Sequence, residues 1–466
     1  SFNAWSTPTE TIIKKVERAY GEKTLKHMKT LNINESYKSA MIGQSETPDD
    51  INMRRVKRTL FIDYLNNQSQ LTQSIDQREI TFYTQQIFKD GLFYNINLVN
   101  NSFAPPTQGN LQQATLRPML LHDLGLAKLL SDNPKDVKLL SDKTIKTKAH
   151  HQLELILTNG QKLKLTINKD SGLIMQSERP MRFFGSMTTK FSNIQKAKGY
   201  VFAKNTEVFY ADQLALVVTD RDIKVDASAP SNFVQTSGFQ QHAPDLYSKE
   251  MVVDEIGNNV YKVGQGAVYS LFVVEGNRVV GVESYAGITQ RFKALQDHLG
   301  RSLVFTDLVV THHHVDHISG VPEIPALGSN IITVAEHKDT LISKLEQPIS
   351  ESKFKLVNSE MQLLGGKIKI FDIATAHSSH NLVAYIPGDK LLFAADHYRS
   401  SHDNEKLVNF PDLIKFKHAI DSLNIPIKKF ASVHGIHTLD YKTLAETTQK
   451  PEFDCSPYPS VCLTSE

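Results

Sequence analysis

The run HHHVDH at residues 312 to 317 constrains the fold of this chain more than any other feature. It puts His312, His314, Asp316 and His317 in the order H-x-H-x-D-H, directly after the apolar segment LVFTDLVVT. Side chains two apart on an extended segment share a face, so His312 and His314 can bind one metal ion. Asp316 and His317 lie where the chain turns, and they can reach a second ion. With 18 histidines in 466 residues, the chance of such a match is on the order of 10⁻³.

Two later stretches extend this pattern, TAHSSHNLVAYIPGDKLLFAAD and SVHG. Together with HHHVDH they resemble the metallo-β-lactamase superfamily over residues 250 to 440. The resemblance implies that His377 joins His312 and His314 on one ion. It also implies that His434 joins Asp316 and His317 on the other, with Asp396 bridging both. The fold expected for this half is the αββα sandwich of that superfamily.

Two zinc ions are the expected cofactor, because imidazole and carboxylate ligands suit zinc; manganese and iron tolerate the same ligand set. Two metal ions that bind the same water lower its pKa to about 7. The bridging hydroxide could then attack an ester, thioester, lactone or amide. Asp316 is expected to orient this hydroxide and pass on its proton. His380 and Tyr398 are candidate substrate contacts, against the alternatives of a solvated loop histidine and a packed tyrosine with a hydrogen-bonded hydroxyl.

Two departures from the family pattern narrow the interpretation. Glu283 stands where the family usually carries an aspartate before the helix, so the support of the site is expected to be arranged differently. Dedicated metallo-β-lactamases typically replace the bridging aspartate with cysteine or serine. Because Asp396 is retained, the ligand set is more similar to glyoxalase II and lactonases, which argues against antibiotic hydrolysis as the main task.

The segment DASAPSNFVQTSGFQQHAPD, residues 226 to 245, predicts a domain boundary. Residues 1–245 are expected to form a mostly antiparallel β domain with helices, since LELILTNGQKLKLTINKDSGLIMQSE contains hairpin turns. An opening helix and long strands such as RRVKRTLFIDYL and EVFYADQLALVVTD loosely resemble the half-barrel of lipoprotein carriers, which can accept an acyl chain. The alternative is that this domain buttresses the catalytic one.

Residues 246–445 are predicted to form the catalytic α/β domain, in which strands alternate with helices. The segment ITQRFKALQDHLG reads as a helix that Gly300 ends. Residues 446–466 form a C-terminal tail with the only two cysteines, Cys455 and Cys462. They form either a disulfide or two free thiols. A disulfide favours a periplasmic or secreted protein over a cytoplasmic one.

The expected partner is a small-molecule substrate. A formal net charge of +2 supplies no field for a nucleic acid backbone, and no apolar run approaches the roughly 20 residues of a membrane span. The sequence leaves the oligomeric state open. Two other functions also stay open: an apolar-ligand-binding protein with a vestigial metal site, and a phosphodiesterase of the same superfamily.

Overall fold

The computed structural model describes residues 7–182 and 184–463. In that part of the chain the N-terminal half forms one sheet, which is antiparallel apart from a short pairing near its edge. Its helices are α1 Pro8–Tyr20, α2 Glu22–His27, α3 Leu111–Met119 and α4 Asp123–Asp132. Its strands are β1 Thr30–Ala40, β2 Met53–Asp63, β3 Gln68–Gln77, β4 Ile80–Lys89, β5 Leu92–Asn97, β6 Ser102–Phe103, β7 Thr107–Gln108, β8 Val137–Leu139, β9 Lys143–Ile145, β10 Lys148–Ile156, β11 Lys162–Asn168, β12 Ile174–Met181, β13 Gly185–Ala197, β14 Tyr200–Tyr210, β15 Gln213–Val225 and β16 Gln240–Gln241.

The four helices of this half pack on the sheet. Helix α1 begins at a capping box formed by Thr7 and Glu10, with Pro8 at its first position, and ends at Gly21. Its buried side chains join those of the other three helices and of β1, β2 and β10 to β15 in one apolar cluster. The helices therefore cover the face of the sheet that this cluster occupies.

The C-terminal half contains two further sheets. The first has strands β17 Val252–Gly257, β18 Val260–Gln265, β19 Val268–Glu275, β20 Arg278–Val282, β21 Val304–Val309, β22 Asn330–Thr333 and β23 Phe354–Leu356. The second has β24 Glu360–Leu363, β25 Ile368–Ile373, β26 Asn381–Ile386, β27 Leu391–Phe393, β28 Lys429–Ala431 and β29 Leu439–Asp440. The helices are α5 Ile288–Leu299, α6 Ile324–Leu327, α7 Ala335–Ile342, α8 Pro411–Asp421 and α9 Tyr441–Thr447.

Three apolar clusters define the layers of this half. One contains side chains of both sheets and lies between them. A second packs α5, α6 and α7 on the outer face of the first sheet, and a third packs α8 and α9 on the second sheet. The order of layers is helix, sheet, sheet, helix, so the predicted αββα sandwich is confirmed.

The element predictions are mostly confirmed. Helix α5 ends at Gly300, whose φ is 64°, and the hairpins of β10 to β12 form as expected. The interpretation of EVFYADQLALVVTD as one strand is wrong: β14 ends at Tyr210, and Ala211 with a φ of 50° starts a turn into β15. The turn contains no glycine to mark it, so the sequence did not separate the two strands. The predicted boundary at residue 245 lies between β16 and β17.

The C-terminal tail returns to the N-terminal sheet. Cys455 and Cys462 form a disulfide, and fully buried Val461 packs with Tyr83, Ile87 and neighbouring residues of β4 and β5. The tail thus connects the catalytic domain to the N-terminal one. No helix in the described part of the chain combines the length and apolar character that a bilayer crossing requires.

Candidate metal centre

The site lies where the ends of several strands meet. Strands β20, β21 and β22 run parallel, so the segments that follow them share one edge of the first sheet. The HHHVDH segment follows β21, and Glu283 follows β20. In the second sheet β27 and β28 also run parallel, and they lead to Asp396 and His434. His377 lies in the loop between β25 and β26, so both sheets contribute to one edge site.

Three imidazole nitrogens converge in this site. His312 Nε2 lies 3.1 Å from His314 Nδ1 and 3.0 Å from His377 Nε2. Burial, together with the neighbouring histidines, holds the pKa of His312 well below its usual value, so this ring is neutral and can offer a lone pair. A tetrahedral zinc ion with bonds of about 2.0 to 2.1 Å would hold its ligand atoms about 3.3 Å apart. The spacing of the three nitrogens fits a metal ion.

Asp396 lies between this triad and the remaining predicted ligands. Its Oδ2 is 3.0 Å from His317 Nε2 and 3.4 Å from His377 Nε2, while its Oδ1 is 3.4 Å from His434 Nε2. Oδ1 is buried and has no hydrogen-bond partner in residues 7–182 and 184–463, which is costly for a carboxylate oxygen. A bound cation would satisfy it. The groups of side chains that could hold an ion are His312, His314 and His377; His312, His317 and Asp396; and Asp316, His317 and His434. The structure brings all seven predicted ligands together.

Glu283 sets the orientation of two ligand rings. Its Oε2 accepts a hydrogen bond from Thr311 Oγ1 at 2.9 Å and lies 3.0 Å from His317 Nδ1. Because the only proton of the Thr311 hydroxyl goes to Glu283, its oxygen accepts from His312 Nδ1, 3.0 Å away. Both rings are thereby fixed with Nε2 facing the site. The glutamate predicted as a departure from the family pattern thus supports the ligands through two hydrogen bonds.

Asp316 is held at both of its carboxylate oxygens. The Tyr285 hydroxyl donates to Oδ2 at 2.6 Å, and Gln44 Nε2 donates to Oδ1 at 2.6 Å. Neither partner was among the predicted site residues. The position of Tyr285, directly after the β20 segment VVGVES, could have signalled it. Gln44 carries no such signal, because it comes from a loop of the other domain.

The N-terminal half forms part of the site wall through two segments, the 41–52 loop between β1 and β2 and the tip of the β3–β4 hairpin. In the loop, the Ser45 carbonyl lies 2.9 Å from His314 Nε2, and the Gly43 carbonyl accepts from the Val315 amide at 2.9 Å. At the hairpin tip, Arg78 Nη1 donates to the carbonyl of His377 at 3.1 Å. The loop thus positions a predicted metal ligand, since the Nε2–H donated to Ser45 leaves His314 Nδ1 free for the ion.

The candidate substrate contacts His380 and Tyr398 have other partners in the structure. His380 Nδ1 is 2.7 Å from Asp372 Oδ2, and His380 belongs to none of the ligand groups found among the described residues. The Tyr398 hydroxyl lies 2.9 and 3.1 Å from the main-chain carbonyl oxygens of Phe430 and His437 and donates its one proton between them. That hydroxyl is already engaged, so the expectation that Tyr398 contacts substrate is corrected: it is a packed aromatic residue. The structure does not bring His380 to the metal ligands.

Residues 303–403 match the family model described as the metallo-beta-lactamase superfamily. This confirms the resemblance over a segment that contains six of the seven predicted ligands; His434 lies beyond it. A hydroxyacylglutathione hydrolase of Aliivibrio salmonicida is 34% identical over 95 residues, which are 20% of this chain and 33% of that protein. The chain therefore spans about a third of the length of such a relative.

Two solved structures are similar to separate halves of the chain. The metallo-beta-lactamase FIM-1 from Pseudomonas aeruginosa is 19% identical with a TM-score of 0.35, covering 44% of this chain and 95% of that one. A LolA superfamily protein from Nitrosomonas europaea is 15% identical with a TM-score of 0.35, covering 49% of this chain and 99% of that one.

Proposed function

We propose that this chain, with a metallo-beta-lactamase superfamily domain at residues 303–403, is a hydrolase that uses two divalent metal ions, with zinc the expected metal. The observation that carries the proposal is the position of Asp396, between two sets of ligands and with a buried oxygen that lacks a hydrogen bond in the described ranges. Its substrate is an ester, thioester, lactone or amide.

Each ligand has an assigned place in this proposal. His312, His314 and His377 would hold one ion, Asp316, His317 and His434 would hold the other, and Asp396 would be a ligand shared by the two. When bound, such a pair of ions lowers the pKa of water to about 7 and polarises the scissile oxygen of the substrate. Gln44 and Tyr285 hold the carboxylate of Asp316 in one orientation, so that Asp316 can receive the proton that the attacking water loses.

The N-terminal domain argues against the apolar-ligand alternative. Its interior face is covered by packed helices. A cavity of 640 Å³ lies between strands β2 to β5 and residues 401–406 of the catalytic domain, and polar side chains such as Arg54, Gln73, Gln85, Asn97 and His402 line it. An acyl chain buried there would desolvate these groups without replacing their hydrogen bonds.

Metal analysis combined with a substrate panel tests the proposed function. The panel holds a glutathione thioester, as the relative's name suggests, an aryl ester, a lactone, an amide and a phosphodiester. We expect hydrolysis of at least one acyl substrate and about two ions per chain. His312→Ala should abolish activity, whereas His418→Ala, on the exposed face of α8, should not.

The other outcomes of the metal analysis and the substrate panel distinguish the alternative functions. Activity on the phosphodiester alone would favour the phosphodiesterase. A chain that binds no metal and cleaves nothing would contradict the proposed hydrolase.

We also propose that the protein works in the periplasm or outside the cell, because the disulfide between Cys455 and Cys462 would not persist in a reducing cytosol. Fractionation of the native host, followed by thiol labelling without reductant, tests this. Labelling of both cysteines in a cytoplasmic fraction would contradict it.

A further inference from the structure

The tip of the β3–β4 hairpin contacts the catalytic domain with both of its turn residues. Arg78 and Glu79 have φ angles of 48° and 64°, the left-handed conformation that two-residue hairpin turns require and that Asn-Gly adopts most readily. Here an arginine and a glutamate occupy the turn instead. Glu79 forms an ion pair with Lys415 of α8, and Arg78 reaches the metal centre. The turn is therefore built for contact with the catalytic domain at some cost in backbone strain.

In the part of the chain that the structure describes, one guanidinium nitrogen of Arg78 is engaged by the protein. Nη1 donates to the carbonyls of Gln44 and His377, each at 3.1 Å. The same Nη1 lies 3.2 Å from His314 Nε2, but both atoms are donors when His314 donates to Ser45, so this contact is not a hydrogen bond. Within residues 7–182 and 184–463, Nε and Nη2 have no hydrogen-bond partner and Arg78 forms no salt bridge. The Nε–Nη2 edge is the fork that binds a carboxylate through two parallel hydrogen bonds.

Three carboxylates of the protein attract Arg78: Asp396, Asp412 and Asp316. Asp396 and Asp316 are assigned as metal ligands, so bound ions would take up their charge. Asp412 forms no hydrogen bond or salt bridge with Arg78 in the described ranges. The Nε–Nη2 edge of this half-buried guanidinium is thus left for an anion from outside the protein.

We propose that Arg78 binds a carboxylate of the substrate beside the metal centre, through Nε and Nη2. The inference rests on the proposed hydrolase function and narrows its substrate to acyl compounds that carry a free carboxylate. An arginine of the N-terminal domain is then a specificity-determining residue of the catalytic domain.

A pair of matched esters tests the proposal in the metal-loaded protein: the mono-para-nitrophenyl ester of glutaric acid, with a free carboxylate, and the para-nitrophenyl ester of pentanoic acid, which is neutral. Arg78→Gln should lower kcat/KM for the acidic ester by about 10- to 100-fold, mainly through KM, as expected for loss of a charge-assisted hydrogen bond. The neutral ester should change by less than about twofold. Arg78→Lys should restore part of the difference.

Binding supplies a readout that does not depend on turnover. Calorimetry should show glutarate binding to the metal-loaded wild-type protein and weaker binding to metal-loaded Arg78→Gln. Glu79→Gln is the matched control: it removes the neighbouring ion pair with Lys415 and should leave ester preference and glutarate binding unchanged. Metal content and Tm, measured for every variant, detect a merely structural effect.

The outcomes separate this inference from the proposed function. If the wild type cleaves both esters and Arg78→Gln slows them equally, the role of Arg78 is overturned while the hydrolase stands. If the wild type cleaves neither ester nor any substrate of the panel, the proposed function fails, and the glutarate titration still decides whether Arg78 binds a carboxylate. Wild-type protein that does not bind glutarate overturns the inference.

Discussion

Glu283 illustrates how one residue can hold a metal site without touching the ion. Its side chain is fully buried and its φ is 88°, a strained conformation that persists only where the surroundings impose it. It orients His317 directly and His312 through Thr311. Glu283→Gln keeps the shape and removes the charge. We expect zinc affinity to fall by about 10- to 100-fold, measured by competition with a chromogenic chelator.

Asp307→Asn provides the control for that experiment. Asp307 lies in β21, in the same sheet, and its salt bridge with Lys355 involves none of the predicted metal ligands. This variant should lose some stability and retain its zinc affinity. Equal affinity in the wild type and in Glu283→Gln would show that Glu283 does not support the ligands.

His122 gives the N-terminal domain a pH-dependent stability. It is fully buried beside Glu35, Arg58 and Arg221, and burial lowers its pKa to about 4 from 6.5. The unfolded state therefore binds more protons between these two values, so stability falls as the pH drops through this window. Relative to His122→Gln, which cannot take up a proton, the wild type should lose roughly 2 kcal/mol more of its unfolding free energy between about pH 7.5 and 5.

Urea denaturation of metal-loaded protein at the two pH values measures this difference. The metal ligands titrate alike in both proteins, so their contribution cancels in the comparison. Parallel loss of stability in the wild type and the variant would contradict the depressed pKa of His122.

At the scale of elements, the sequence predicts best what a local pattern determines. The HHHVDH segment follows a buried strand, so its ligand geometry could be predicted from strand periodicity and the turn. Helix α5 could be predicted because Gly300 marks its end. The β14–β15 turn at Ala211 and the hairpin tip at Arg78 were missed, because ordinary residues adopt left-handed conformations there and only the folded chain shows why.

The C-terminal tail is an element whose attachment depends on its disulfide. Cys455 and Cys462 close a loop with a sequence separation of 7, which should favour the docked tail by about 2 kcal/mol. Replacing both with serine should release Val461 from the N-terminal sheet and expose Phe453, which packs in the same apolar cluster. Limited chymotrypsin digestion should then cleave after Phe453 faster than in the wild type.

Reductant provides the control for the tail. It should accelerate cleavage of the wild type and leave the double serine variant unaffected. A wild-type tail that is cut at the same rate in both conditions would show that the disulfide does not hold it.

For the whole molecule, the sequence predicted two domains and left the role of the first open. The hydrogen bonds of Gln44, Ser45 and Arg78 with the predicted metal ligands are long-range, between residues 269 to 299 apart in the chain. Such contacts depend on how the domains dock, and neither periodicity nor spacing encodes that in a single sequence. The N-terminal domain thereby forms part of the site wall.

This docking should make the two domains unfold together. Gly43 has a φ of 66°, and a Cβ added there would lie 3.2 Å from Val315 Cβ, so Gly43→Val should push the 41–52 loop away from the metal centre. Because zinc binds only the folded site, it stabilises every domain whose unfolding destroys that site. In calorimetry the wild type should show one unfolding transition, whose Tm zinc raises. Gly43→Val should show two transitions, and zinc should raise the Tm of only one.

Gly160→Val is the control. It introduces the same strain at a φ of 78° with no atom within 4 Å of the added Cβ, at a cost of about 1 to 2 kcal/mol. It should lower the single transition without splitting it, and identical traces for the two variants would mean that the domains are not coupled through this loop.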